Sequence, residues 1–305
     1  MHKIVMIVLL CLLALVVPVQ AADQITYISQ PDEVYIFLNN VAFARDTISI
    51  PSGVSIRVAL PSSAFENTLV LKEDAQRVSS YRLRRQDTGV MLEWAAGTGE
   101  GAREVTLEYL MTGLNWTPRY DMTLNGDPAD SAEFSFFAEL TNTALELNAV
   151  KTHLIAGRVD LSQPVDQRSS VTMNQYMAGY DEAGASSGGE VGAATIQYIY
   201  EPGDLTTELN ETLYQSLLQA TLPARRVLLW NAQTDQQVTV IYKLKNESDM
   251  PLAEGIVRNY QNGIFIGSDS METTPVGSEG SITVGKLQDV RVKRSESQTS
   301  LTGVF

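Results

Sequence analysis

His153 is the residue on which the commonest enzyme chemistries would have to turn, because the chain holds only two histidines, His2 and His153. A Ser-His-Asp triad would have to use it, yet no Gly-x-Ser-x-Gly elbow presents a serine nucleophile. A zinc hydrolase needs several His or Cys ligands, and the one cysteine, Cys11, sits in the apolar N-terminal run. Carboxylate pairs can hydrolyse glycosides without histidine. With 36 acidic residues some pair will fall at a catalytic separation, and spacing nominates none. Asn125, Asp127 and Asp130 share one turn but lack the spacing of a calcium loop, so they read as turn chemistry. Gly97-Thr-Gly-Glu-Gly101 has no following Lys-Ser/Thr and no strand-to-helix context, so it is not a phosphate loop. No catalytic residue, cofactor site or metal ligand set is therefore assigned.

Trp116, Tyr120 and Asp121 are the remaining residues with chemical promise. Exposed, an indole and a phenol beside a carboxylate would stack on a sugar or anchor a partner. Buried, the rings would fill a sandwich core while the hydroxyl and carboxylate tie a corner. The second reading is favoured by the stretch that carries them. Val105, Leu107, Tyr109 and Met111 alternate with polar residues, Gly113 and Pro118 break the run, and Tyr120, Met122 and Leu124 resume it. That is the period-2 pattern of two half-buried strands.

The rest of the chain follows the same period. Glu33–Leu38, Phe43–Ile50, Val54–Leu60, Leu69–Leu71, Val78–Leu83 and Val90–Trp94 read as short strands, punctuated by Asn39-Asn40 and Pro51-Ser-Gly53 turns. Phe134, Phe136, Ala138 and Leu140 share one face of a longer strand, and residues 149–157 form another. Asn262-Gly263 between Ile256–Tyr260 and Ile264–Ile266 predicts a hairpin with a type I′ turn. Further strands are expected at Val227–Trp230, Val238–Leu244, Ile282–Val284 and Val290–Val292. Leu205, Leu209, Leu213 and Leu217 recur every four residues behind Asp204. This predicts one short helix over 205–219, with a pair of strands as the alternative. The fold class expected is all-β, as two antiparallel, immunoglobulin-like sandwiches.

Lys3, the apolar run Ile4–Val17 and the small residues Val19 and Ala21 form an export signal over residues 1–21. The run is shorter than the roughly 20 residues of a spanning helix, so an uncleaved anchor is the lesser reading. A first β-domain is expected over 22–96, a linker over 97–102, and a second β-domain over 103–294. An insertion over 160–194, rich in Ser, Gly and Gln, interrupts the second, and a polar tail occupies 295–305. The net charge of −14 speaks against a nucleic-acid partner. Export without a cysteine in the mature chain suits a bacterial or archaeal periplasm or cell surface.

Tyr109-Leu-Met-Thr-Gly-Leu-Asn-Trp-Thr-Pro-Arg-Tyr-Asp121, Ala138-Glu-Leu-Thr-Asn142 and Leu154-Ile-Ala-Gly157 resemble the uncharacterised domain of the mucoidy-inhibitor-A-like proteins. Pro251–Gly255, Gly263–Gly267 and Gly285 with Val290–Arg294 are similar to its later half. Val34-Tyr35, Pro51-Ser-Gly53 and Leu60-Pro61 are similar to the small domain that precedes it. Two departures stand out: the coiled coil common between those domains is replaced by Gly97–Gly101, and further strands usual beyond the last segment are absent. The resemblance implies exported, envelope-associated β-domains without assigned catalytic residues. Its motif residues here are Trp116, Pro118, Tyr120, Asp121, Asn142, Gly255 and Gly267, in a structural role. The function expected is a non-enzymatic scaffold or interaction module with an envelope protein or polysaccharide as partner. The rival is a carboxylate-dependent hydrolase of envelope polysaccharide, and a third reading is self-assembly through an open sheet edge.

Overall fold

The computed structural model describes residues 24–86, 89–98, 101–159, 198–231, 233, 237–287, 289, 290, 292, 293 and 295. The expected export signal, the expected 160–194 insertion, two residues of the expected 97–102 linker and nearly all of the tail lie outside these. The first strands are β1 (Gln24–Ile28), β2 (Glu33–Phe37), β3 (Val41–Pro51), β4 (Ser55–Leu60), β5 (Val70–Glu73) and β6 (Gln76–Arg77). They continue as β7 (Arg82–Gln86), β8 (Gly89–Ala95), β9 (Ala102–Thr112), β10 (Leu114–Leu124), β11 (Ser131–Asn142) and β12 (Leu147–Ile155). The last are β13 (Ile199–Thr207), β14 (Glu211–Leu229), β15 (Thr239–Lys245), β16 (Gly255–Gln261), β17 (Ile264–Met271) and β18 (Glu279–Lys286).

Three sheets result. The smallest has the order β1-β4-β8-β7, and a seven-stranded sheet runs β13-β12-β2-β3-β9-β5-β6. One face of this central sheet carries Ile36, Ala44, Leu71, Leu107, Tyr109 and Leu154. Near β3 and β9 it shares a core with Ile56, Val58, Leu92 and Trp94 of the small sheet. The third sheet, β17-β16-β10-β11-β14-β15-β18, contributes Trp116, Tyr120, Phe134, Phe136 and Tyr242 to the same continuous core. Its two edges approach each other, with the Thr283 N–H on β18 donating to Asp269 Oδ2 on β17 at 2.6 Å. The sheet is thus curled toward a barrel. Alternation explains the burial: every second residue of β10, from Leu114 to Leu124, is buried.

The chain is all-β, and the predicted turns form as read. Asn40 (φ 59°) joins β2 to β3, and Asn262 and Gly263 (φ 48° and 77°) supply the two positive angles of the β16–β17 hairpin. Four expectations are corrected. No helix forms over 205–219: Leu205 ends up in β13 and Leu213 and Leu217 in β14, with Asn210 (φ 64°) at the turn. A four-residue repeat is also a multiple of two, and so fits a strand face. The sheets are mixed rather than antiparallel throughout, because β1–β4, β2–β12 and β10–β16 pair in parallel. The expected boundary at 97–102 does not divide the sheets. β9, expected to open the second domain, lies between β3 and β5, while β12 adds to the free side of β2. Val78–Leu83 is not one strand: residues 78–81 are the passage between β6 and β7, and Arg82 and Leu83 open β7. The strand expected at Val290–Val292 falls partly outside the described residues.

Candidate binding cavity

Trp116, Pro118, Tyr120 and Asp121 do not sit on a corner; all four lie within β10, and the turn is at Gly113 (φ 92°). Trp116 is fully buried, donates its Nε1–H to the Ile155 carbonyl at 3.0 Å, and meets the Tyr200 ring edge-on at 5.6 Å. Pro118 is tolerated inside a strand because the parallel pairing with β16 begins only at Arg119. Tyr120 is stacked against Phe134 and Phe136 and donates its hydroxyl to the Ala253 carbonyl at 2.8 Å. Burial, with the Tyr200 phenol nearby, pushes that hydroxyl well above its ordinary pKa. Asp121 accepts both Nε–H and an Nη–H from Arg258, at 2.7 and 2.9 Å, tying β10 to β16.

The other motif residues are equally occupied. Asn142 is fully buried. Its Nδ2 reaches the Leu145 carbonyl, the Thr207 hydroxyl and the Glu208 carbonyl at 2.6, 2.7 and 3.1 Å. Its Oδ1 accepts the N–H groups of Ala144 and Leu145. One amide thus closes the turn after β11 and anchors the end of β13. Gly255 leaves room for Tyr120 and Pro118, and Gly267, at φ 144°, lies where β17 approaches β18. These seven residues hold the curled sheet together, and none points free chemistry at solvent.

His153 is buried on the other face of the central sheet, stacked on Tyr35 at 4.3 Å, with Nε2 3.0 Å from Glu33 Oε1. Glu33 also accepts from Lys151 at 3.1 Å and pairs with Arg45. Arg45 in turn pairs with Glu108, and Glu108 with Lys72 at 2.9 Å. An alternating row of charges therefore crosses five strands from β12 to β5. Burial would raise the Glu33 pKa, but hydrogen bonds from Lys151 and His153 and the charges of Arg45 and Lys151 outweigh it and hold it below its ordinary value. On the inner side, Asp46 accepts the Ser29 hydroxyl at 2.7 Å and the Gln30 N–H at 3.0 Å. Here burial prevails and lifts the Asp46 pKa against those two bonds. Both clusters are closed networks.

Open chemistry lies elsewhere, in a cavity of about 710 Å³ where β6 and the passage to β7 meet β4 and β8. Its volume falls within the range of about 300–1,000 Å³ typical of small-ligand sites. Two of its lining residues are carboxylates, and both are engaged. Glu73 accepts Arg103 Nε at 2.6 Å and the Gly97 N–H at 2.8 Å, and Glu93 lies 2.8 and 3.2 Å from the Nε atoms of Arg57 and Arg84. Arg77 and Arg82 line the cavity and form no ion pair among the described residues. Trp94 is 5% exposed and packs in the core, and its Nε1, itself shut off from solvent, has no acceptor among the described residues. Such an orphan donor is uncommon and calls for an explanation.

None of these donors was singled out by sequence reasoning. The signal that could have found them is the run Arg77–Arg82, where two arginines, two serines and a tyrosine replace the alternation expected of a strand. Asn125, Asp127 and Asp130 sit in and beside the β10–β11 turn, where Asp127 pairs with Arg226 at 2.6 Å. Among the described residues no group of three or more His, Cys, Asp or Glu is placed to hold a metal, and no helix is long and apolar enough to cross a membrane. Compared with known proteins, the chain matches no family model, no curated protein and no solved structure.

Proposed function

We propose that this chain is an exported, envelope-associated, non-enzymatic interaction module of the mucoidy-inhibitor-A-like kind, and that it binds its partner in the cavity between β6, β7 and β8. The N-terminal run of Lys3 and Ile4–Val17 supports export, and the β10 motif supports the family. The observation that carries the binding reading is the division of labour in the cavity. Both lining carboxylates are held by guanidinium groups, whereas Arg77 and Arg82, also in the lining, form no ion pair among the described residues. A general acid must give up a proton and a general base must take one, and a carboxylate locked to arginine is poorly placed for either. Donors that keep their protons bind without turnover.

The test is to incubate the protein with a panel of envelope glycans and record both retention and new reducing ends. Retention without cleavage is the expected result. Cleavage that disappears in Glu73→Gln or Glu93→Gln would replace the module with a hydrolase.

A further inference from the structure

We infer that the free edge of the small sheet docks an extended acidic segment of another protein, which adds to β7 as a further strand and sets its carboxylates on Arg82, Arg84 and Arg57. The inference goes beyond the cavity reading above, because it concerns the solvent side of the sheet and stands whether or not the cavity is filled.

Strand register brings the three arginines together. Arg82 lies opposite Glu93 and Arg84 opposite Met91 in the β7–β8 pair, and Glu93 lies opposite Arg57 in the β8–β4 pair. Leu83, Leu92, Ile56 and Val58 pack on the core, so alternation turns Arg82, Arg84, Glu93 and Arg57 to the solvent side together. There Glu93 Oε1 is 2.8 Å from Arg57 Nε, and Oε2 is 3.2 Å from Arg84 Nε. The side chains of Arg57 and Arg84 stay 39% and 60% exposed, and Arg82 is exposed as well. The other residues on that side of β1, β4 and β8 are uncharged. Three accessible guanidinium groups thus share one carboxylate, and the face keeps an excess of positive charge suited to carboxylates.

The backbone says what kind of molecule carries those carboxylates. β7 ends the order β1-β4-β8-β7 and pairs on one side only, with β8. Among the described residues its other side has no strand partner, and such an edge pairs with extended polypeptide, whose amides match it in register. A polysaccharide would meet the charge and leave the backbone groups unanswered. Arginine on the edge also selects: it repels a second copy of β7 and admits a strand with acids at alternate positions. Between those acids the added strand turns inward beside Leu83, which rests half-buried on the core, so an apolar residue belongs there. The recognised pattern is acid, apolar, acid. The chain as a whole carries −14, so its general field repels such a segment and any uptake reports this local face.

The experiment follows the fluorescence anisotropy of labelled Glu-Val-Glu-Val-Glu-Val-Glu on the whole protein. Two control peptides accompany it: one with Gln for every Glu, and one N-methylated at two adjacent central residues, which keeps the charges but blocks both edges of the strand. The acidic peptide should bind saturably at one site and slow hydrogen exchange in β7, with each control at least about tenfold weaker. Arg82→Ala combined with Arg84→Ala should weaken it about tenfold or more. The melting temperature should hold, because exposed ion pairs contribute little to stability. The inference is overturned if the acidic peptide does not bind, if either control binds as well, or if the folded double variant binds undiminished. Polygalacturonate that displaces the peptide at a lower concentration of carboxylate would also overturn it, making the face a site for polyanions at large.

Discussion

Gly255 faces the ring of Tyr120 so closely that a Cβ on the glycine would stand 2.8 Å from Tyr120 Cε2 and 2.7 Å from the Pro118 carbonyl oxygen. Two of the three atoms it would meet belong to Pro118, whose backbone cannot swing aside within a paired strand. Gly255→Ala should therefore destabilise the protein by about 1–3 kcal/mol. Gly285 is the internal control, because a Cβ there meets nothing within 4 Å. Urea denaturation of the two variants should separate them clearly.

Trp116 fills the core and makes one polar bond, and these contributions can be taken apart. Trp116→Ala should cost about 3–5 kcal/mol through the cavity it leaves. Trp116→Phe keeps an aromatic ring but strips the Ile155 carbonyl of its donor, a loss of about 1–3 kcal/mol. A Trp116→Ala variant that melted like the parent would refute the core assignment.

Asn142→Asp is nearly isosteric and should still be among the most damaging single changes. It turns the Nδ2 donor into an oxygen facing the Leu145 and Glu208 carbonyls. The expected cost is about 3 kcal/mol or more. Hydrogen exchange should accelerate at Ala144 and Leu145, with the end of β13 loosened as well.

Glu33 and Asp46 predict opposite contributions to acid stability. The Glu33 pKa is lowered in the folded state, so its contribution is present above the ordinary value of 4.5 and is lost as pH falls through the folded value. The Asp46 pKa is raised, so its ionisation weakens the fold as pH rises past 3.8, and that penalty is relieved on acidification. Glu33→Gln should flatten the acid limb of a stability–pH curve. Asp46→Asn, which keeps an oxygen to accept from Ser29 and Gln30, should steepen it, and Asp46→Ala should destabilise at every pH by orphaning both donors.

Much of this architecture is readable from local pattern, and what is not has a physical reason. Strand positions follow from alternation, and the Asn262-Gly263 hairpin follows from the steric freedom of its residues. Leu205 to Leu217 misleads because a repeat of four satisfies both a helical turn and two strand steps, and only the turn at Asn210 decides. The placement of β9 and β12 is invisible locally, since β9 returns to β3 and β12 reaches back to β2 over long stretches of chain. The motif residues of β10 are legible as structural, although the corner assigned to them is a continuous strand, paired with β11 throughout and with β16 from Arg119 on. The cavity escapes notice because its donors come from β6, β7 and β8 together. Arg77 and Trp94 have no special spacing; only the fold brings both to the lining of one cavity.

The parallel pairing of β12 with β2 also imposes an order of assembly. Glu33 and its partner Lys151 lie 118 residues apart. The strands up to β9 can pair with one another as soon as they emerge, but one side of β2 must wait for the rest. During that interval it presents a row of unmatched backbone groups, a template for any extended segment. Fragments ending before Leu147 should accordingly associate on sedimentation, where the whole chain has its own strand to fill the place. The late-arriving β12 acts as a built-in plug, and the first half of the molecule is a finished surface only after the second half has been made.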